Sequence, residues 1–353
     1  MADLPPRARL PLLLLGMLSL LGGVLAGLAR LGWNVPTPAA QAAAFHGPLM
    51  IAAFFGTVVS LERAVALGQR WAYLAPLAAG LGGTLLLAGD ASPLPRLLGA
   101  LAATVLVAAS VQAWRRQVSV HAQVLIMGAA CWLLANLYWL LGGDTAQASY
   151  GWLLFLILTI AGERLELTRF LPTPAAAKKV FSGIVALLLA GGALAGIDDG
   201  RLFALGLLLL AGWLLRYDIA RRNLRAEALP RFVALCLLCG YGWLALAGLL
   251  GLSGALAPGH DWRDAALHGL GLGFIFSMVI GHAPIIFPAV MRVRIPWSPL
   301  FYLPLALLHL GLLLRVGGVL LGKLPAHAAL FNAVTLGVFI LTLLIQVGRG
   351  RAG

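Results

Sequence analysis

Four of the seven histidines, His46, His268, His282 and His309, sit inside stretches that otherwise read as lipid-soluble helix. A neutral imidazole is a good ligand for haem iron and for copper, and a buried ring without a partner is costly in hydrocarbon. His46 lies some seven residues into its apolar stretch, about 10 Å deep at the helical rise. His268 follows Asp264 by four residues, so it too lies in the outer part of its span. Two histidines at similar depth on different helices can fill the two axial positions of a haem iron. With Met50 one turn below His46 as a soft ligand, they can equally hold copper. Hydrogen-bonding core histidines or a transport path remain open on spacing alone. The glycines at 269, 271 and 273 allow either close helix packing or a flat macrocycle against the backbone.

His282 lies 14 residues beyond His268. That is about 21 Å deeper and only about 40° around the helix, so the two share one face. His309 has no comparable counterpart and reads as a helix–helix hydrogen bond. His121, His260 and His327 fall near span ends, where a structural role is the default. An inner layer of ionisable groups comprises Glu62–Arg63 and the series Glu163, Arg164, Glu166 and Arg169. Interface ion pairs with snorkelling side chains are the simple expectation. Convergence of Glu62, Glu163 and His282 would instead make a proton-accessible or metal-binding inner site. Pro284 and Pro288 must interrupt the hydrogen-bond ladder just beyond His282.

The elements that carry these groups are membrane helices. The chain is 61% hydrophobic and 10% charged over 353 residues, too little charge for the surface of a soluble protein of that length. The expected fold is all-α and integral to the membrane, a single polytopic domain over 1–353. Twelve spans are predicted near 10–30, 39–61, 71–89, 96–114, 120–141, 149–168, 178–197, 201–217, 231–252, 264–290, 298–320 and 325–347. The first is read as a retained helix rather than a cleaved signal. Nineteen of the 25 basic residues fall on one set of termini and loops, which places both ends in the cytoplasm of a bacterial-type inner membrane. The net charge of +13 then matches anionic headgroups and implies no nucleic acid. Cys131, Cys236 and Cys239 fall within spans as small packing residues.

Glu62, Glu163 and His282 are 101 and 119 residues apart, four predicted spans each time. Three groups of four helices, a pseudo-threefold bundle lined by spans two, six and ten, would produce that echo.

The segment "HGPLM" resembles the haem-ligand segment in the second helix of haem–copper oxidase catalytic subunits. Twelve spans in three groups of four match that architecture, which holds its low-spin haem by histidines from helices two and ten. Spans six to eight contain no histidine for the copper site of those enzymes, which argues against conventional oxygen or nitric oxide reduction. The chain also resembles the NnrS family of twelve-span haem- and copper-containing proteins linked to nitric oxide and nitrogen-oxide metabolism. His46 through Met50, "LLANLYWLLG", "LTIAGERLELTRF" and "DAALHGLGLGF" carry that likeness in order. It departs in having His46 alone where the family has a double histidine, Glu163 beside Arg164, and a second histidine of span ten that comes earlier than the family's, at His282.

The resemblance implies b-type haem, with copper as a second metal, and work on a small gas ligand or with a redox partner. His46 and His268 are the expected haem ligands, with His46, Met50, His268 and His282 as metal candidates. Glu62, Glu163 and Arg164 complete the inner site. The rival is a cofactor-free transporter or permease, since repeats, broken helices and buried charges also build transport sites.

Overall fold

The computed structural model of the chain describes residues 3–323 and 325–352, and the side chains of all of these except Arg169 and Ala352. Arg169 of the inner charged series therefore lies outside the described side chains. The described residues are helical throughout, with short turns and no strand. Ten helices are long and apolar enough to cross a membrane. They are α1 (Pro6–Arg30), α2 (Pro48–Leu67), α4 (Leu94–Arg116), α5 (Val120–Leu140), α6 (Thr145–Leu167), α7 (Ala175–Asp198), α9 (Ala228–Leu252), α10 (Arg263–Met291), α11 (Pro299–Leu320) and α12 (Ala326–Arg351). Two shorter apolar helices, α3 (Leu74–Leu87) and α8 (Arg201–Tyr217), occupy the remaining two places where spans were expected. Exposed leucines at 14, 97, 134, 313 and 344 are the lipid-facing surface such helices need.

The chain falls into two compact units. The first runs to Gly162 and takes in Val290–Arg292; the second runs Glu163–Ala289 and resumes at Val293. The three groups of four helices expected from the spacing of Glu62, Glu163 and His282 do not emerge as separate units. Turn chemistry sets the antiparallel runs. Between α7 and α8, Asp199 and Gly200 both adopt left-handed φ (59° and 73°), and the Asp198 carboxylate accepts from the Gly200 and Leu202 N–H groups. Such a two-residue link returns the chain directly upon itself. α10 continues through both Pro284 and Pro288 to Met291. The carbonyls of Ile280 and Pro284 lose their donors there without ending the helix.

Arg9 corrects one expectation. By its place before the first span it is one of the nineteen basic residues that orient the chain, yet it is 1% exposed. Within the first unit its guanidinium donates to the carbonyls of Val290 (2.6 Å) and Leu4 (2.9 Å) and to the Asp3 carboxylate. Tyr73 donates to the other Asp3 oxygen at 2.7 Å. A fully shielded guanidinium can satisfy unpaired helix-end carbonyls where no water reaches. Arg9→Met should therefore lower thermal stability in detergent markedly, by about 3 kcal/mol. Arg7→Met, at an exposed neighbour, should stay within about 0.5 kcal/mol. Equal shifts would show that Arg9 contributes charge alone.

Candidate functional site

In the first unit, His46 ends a single 3-10 turn, Ala43–Phe45, and points at α1. Its Nδ1 lies 2.7 Å from the Gly23 carbonyl oxygen. A carbonyl only accepts, so Nδ1 carries the proton and Nε2 carries the lone pair. α1 makes room by having no side chains where the ring and its neighbour press. A Cβ on Gly27 would sit 2.7 Å from Nδ1, and one on Gly23 would sit 2.9 Å from the Met50 sulfur. The expected His46–Met50 pair thus shares one glycine-floored cradle. Beside it, Phe45 meets Trp139 edge-on (6.4 Å), Trp139 meets Trp152 likewise (5.5 Å), and Arg96 lies 5.2 Å over the Trp139 ring. Trp152 is fixed in turn by donating to Asn136, which donates to the Gly99 carbonyl.

In the second unit, His268 repeats the tautomer. Its Nδ1 lies 2.9 Å from the Asp264 carbonyl oxygen and 3.2 Å from the Asp264 carboxylate. The same carboxylate receives two hydrogen bonds from Arg315, Nε at 2.8 Å and a terminal nitrogen at 2.7 Å. A bidentate arginine fixes a carboxylate, and that carboxylate fixes the ring. Carboxylate–histidine pairs of this kind orient metal-bound imidazoles and raise their basicity. The ring again presents its lone pair at Nε2. In the sequence Asp264 marks only depth, although its position four residues before His268 places it on the same helix face. Arg315 gave no signal, because an arginine late in an apolar stretch reads as an interface charge.

Both histidines share a further feature. Each is followed by glycine, and each stands at the N-terminal edge of an eight-residue π-helical segment, Pro48–Phe55 or Gly269–Phe276. π-Turns are rare, weaker than α-turns and concentrated at functional sites. The glycine series 269–273 is therefore part of an altered backbone, beyond the small-residue packing it suggested.

The inner layer resolves differently. Arg164 is 6% exposed and donates to His282 Nε2 at 3.1 Å, while His282 Nδ1 lies 2.7 Å from the Met278 carbonyl. Arg164 is thus a buried donor, in place of the snorkelling interface charge expected. The His282 Nε2 lone pair accepts the Arg164 hydrogen bond in the arrangement observed. Glu163 shares the second unit with these two residues, while Glu62 belongs to the first, and both carboxylates are half-buried. His309 behaves as its isolation suggested, accepting at Nδ1 from Trp243 (2.9 Å) across two helices. Among the described residues, no group of three or more His, Cys, Asp or Glu is placed to hold a metal ion.

Residues 9–347 match the family described as a domain of unknown function, DUF8744. The chain belongs to this family. No curated protein matches the chain. Family membership thus assigns no chemistry, and the side chains must carry it.

The Asp264–Arg315 pair can be weighed by a double-mutant cycle. Arg315 is 7% exposed and Asp264 29%. Asp264→Ala should cost about 2–3 kcal/mol, below the range for a wholly buried pair. Adding Arg315→Met should recover part of that loss, because no unpaired guanidinium remains. Additive losses in thermal unfolding would show that the two side chains are uncoupled.

Proposed function

We propose that this chain is a membrane haemoprotein in which His46 and His268 are iron ligands, serving a nitrogen-oxide response or electron transfer. The observation that carries the reading is the matched state of the two rings. Both give their Nδ1 proton to a main-chain carbonyl, which places the lone pair on Nε2, and both open a π-helical segment. Iron needs a neutral nitrogen lone pair on an oriented ring, and these groups fit it. Bound haem would supply reversible one-electron chemistry and an affinity for diatomic gases. The residues of the chain would fix the rings, and the apolar shell around them would tune the potential. Copper would draw on His46 and Met50, a two-ligand set that needs a further donor for a usual site. Twelve spans with both termini in the cytoplasm remain the proposed topology, on the basic-residue bias.

A second reading, transport, has its own support. On α12, Asn332, Thr335, Thr342 and Gln346 are all 3% exposed or less. They fall within about 80° of one another around the helix. Both amide atoms of Asn332 and the amide nitrogen of Gln346 are buried without a hydrogen-bond partner. Polar groups left in this state inside a membrane helix are features of solute paths.

The deciding experiment is a reduced-minus-oxidised visible spectrum of the detergent-purified protein from cells with ample haem. A six-coordinate, low-spin b-type spectrum is expected. His46→Ala and His268→Ala should each convert it to a high-spin form or abolish it, and the pattern shows whether the rings serve one iron or two. Metal analysis of the same sample reads copper directly. A colourless protein, made beside haem-replete controls, would overturn the haem reading and leave transport.

A further inference from the structure

The second unit holds a group of polar side chains that the haem reading does not use. Asp218 follows α8 in a loop and is 4% exposed; Tyr241 is on α9 and is 0% exposed. Asp218 Oδ1 accepts from the Ala220 N–H at 2.7 Å. Asp218 Oδ2 and the Tyr241 hydroxyl are both buried without a hydrogen bond, although the two side chains lie within range of each other. Arg164 acts on both through its charge while its hydrogen bond runs to His282.

We propose that Asp218 and Tyr241 form a buried proton-binding site whose occupancy decides whether Arg164 holds His282 or Asp218. His282 cannot be the group that takes the proton here. Its Nδ1–H is given to a carbonyl and its Nε2 lone pair faces a donor that never deprotonates. Asp218 is the acceptor that remains. A protonated Oδ2 donates to the Tyr241 oxygen, and one hydrogen satisfies both orphaned atoms. An ionised Oδ2 in the same place is a desolvated anion, and it is stabilised by turning the Tyr241 O–H toward it and drawing the Arg164 guanidinium across. That movement releases the His282 lone pair. In this scheme the arrangement with Arg164 on His282 belongs to the protonated state.

Burial raises the Asp218 pKa, against the lowering pull of Arg164, the Ala220 N–H and Tyr241. Arg164 and Tyr241 are the charged and titratable side chains that act on it among the described residues. A raised value means that the folded protein keeps this proton to higher pH than an ordinary aspartate does. The stability it contributes is present at low pH and fades as pH rises through the raised value.

Infrared spectroscopy of the full-length protein reads the proton directly and does not depend on bound haem. The wild type should show a protonated-carboxyl carbonyl band that shifts in D2O and persists above the pH at which free aspartate ionises. It should move on ¹³C-aspartate labelling, disappear in Asp218→Asn and shift in frequency in Tyr241→Phe. If Asp218→Asn fails to fold, the labelled wild type and Tyr241→Phe still decide the matter. A wild-type spectrum whose aspartate-dependent band is lost at the pH at which free aspartate ionises, or a band unmoved by both substitutions, would overturn the site.

Discussion

An imidazole inside a hydrocarbon layer has a hydrogen that must be given to something, and in this protein that obligation fixes which nitrogen does chemistry. Water is absent, so the acceptor has to be built into the fold. For His46 it is the Gly23 carbonyl on a neighbouring helix; for His268 and His282 it is the carbonyl one turn earlier on the same helix. Once that bond is made, the tautomer follows, and with it the atom that carries the lone pair. His309 is the exception, and there a donor sets the tautomer. It accepts a hydrogen from Trp243 at Nδ1, so its own hydrogen sits on Nε2, buried without an acceptor. The same residue type thus appears here in two electronic states, chosen by neighbours.

The same economy governs the charges. Arg9, Arg164 and Arg315 are all nearly inaccessible, and each has a specific acceptor: a helix-end carbonyl, an imidazole lone pair and a carboxylate. Guanidinium suits this work because it cannot shed its proton and because its several donors diverge in one plane. None of the three behaves as a solvated loop charge. In a protein with so few ionisable groups, those that are buried form a substantial part of what defines the packing.

Much of the fold was legible because lipid imposes a simple rule on sequence. Long apolar runs gave the ten membrane-length helices and the positions of α3 and α8, and isolation gave His309 its structural role. What stayed hidden depended on side chains meeting from distant parts of the chain. Asp218 stands inside a basic loop and Tyr241 inside an apolar helix, and neither position signals the other. Arg9 looked like a flanking charge until its carbonyl partner, 281 residues on, was in view. The π-helical segments had no period of their own to detect. "HGPLMIAAFF" and "HGLGLGFIF" share little beyond the opening dipeptide, and the backbone change lies in hydrogen-bond register, which composition does not encode.

Those two segments also carry a consequence for how the sequence can drift. A π-turn closes over one residue more than an α-turn, so each segment stores surplus chain inside a continuous helix. Loss of a residue between Pro48 and Phe55 can be absorbed by tightening one turn, with the flanking faces still aimed as before. The same loss a turn later, within Gly56–Leu67, would rotate everything beyond it by about 100°. The two π-helical segments are therefore places where this chain can change length without turning its buried groups toward the lipid.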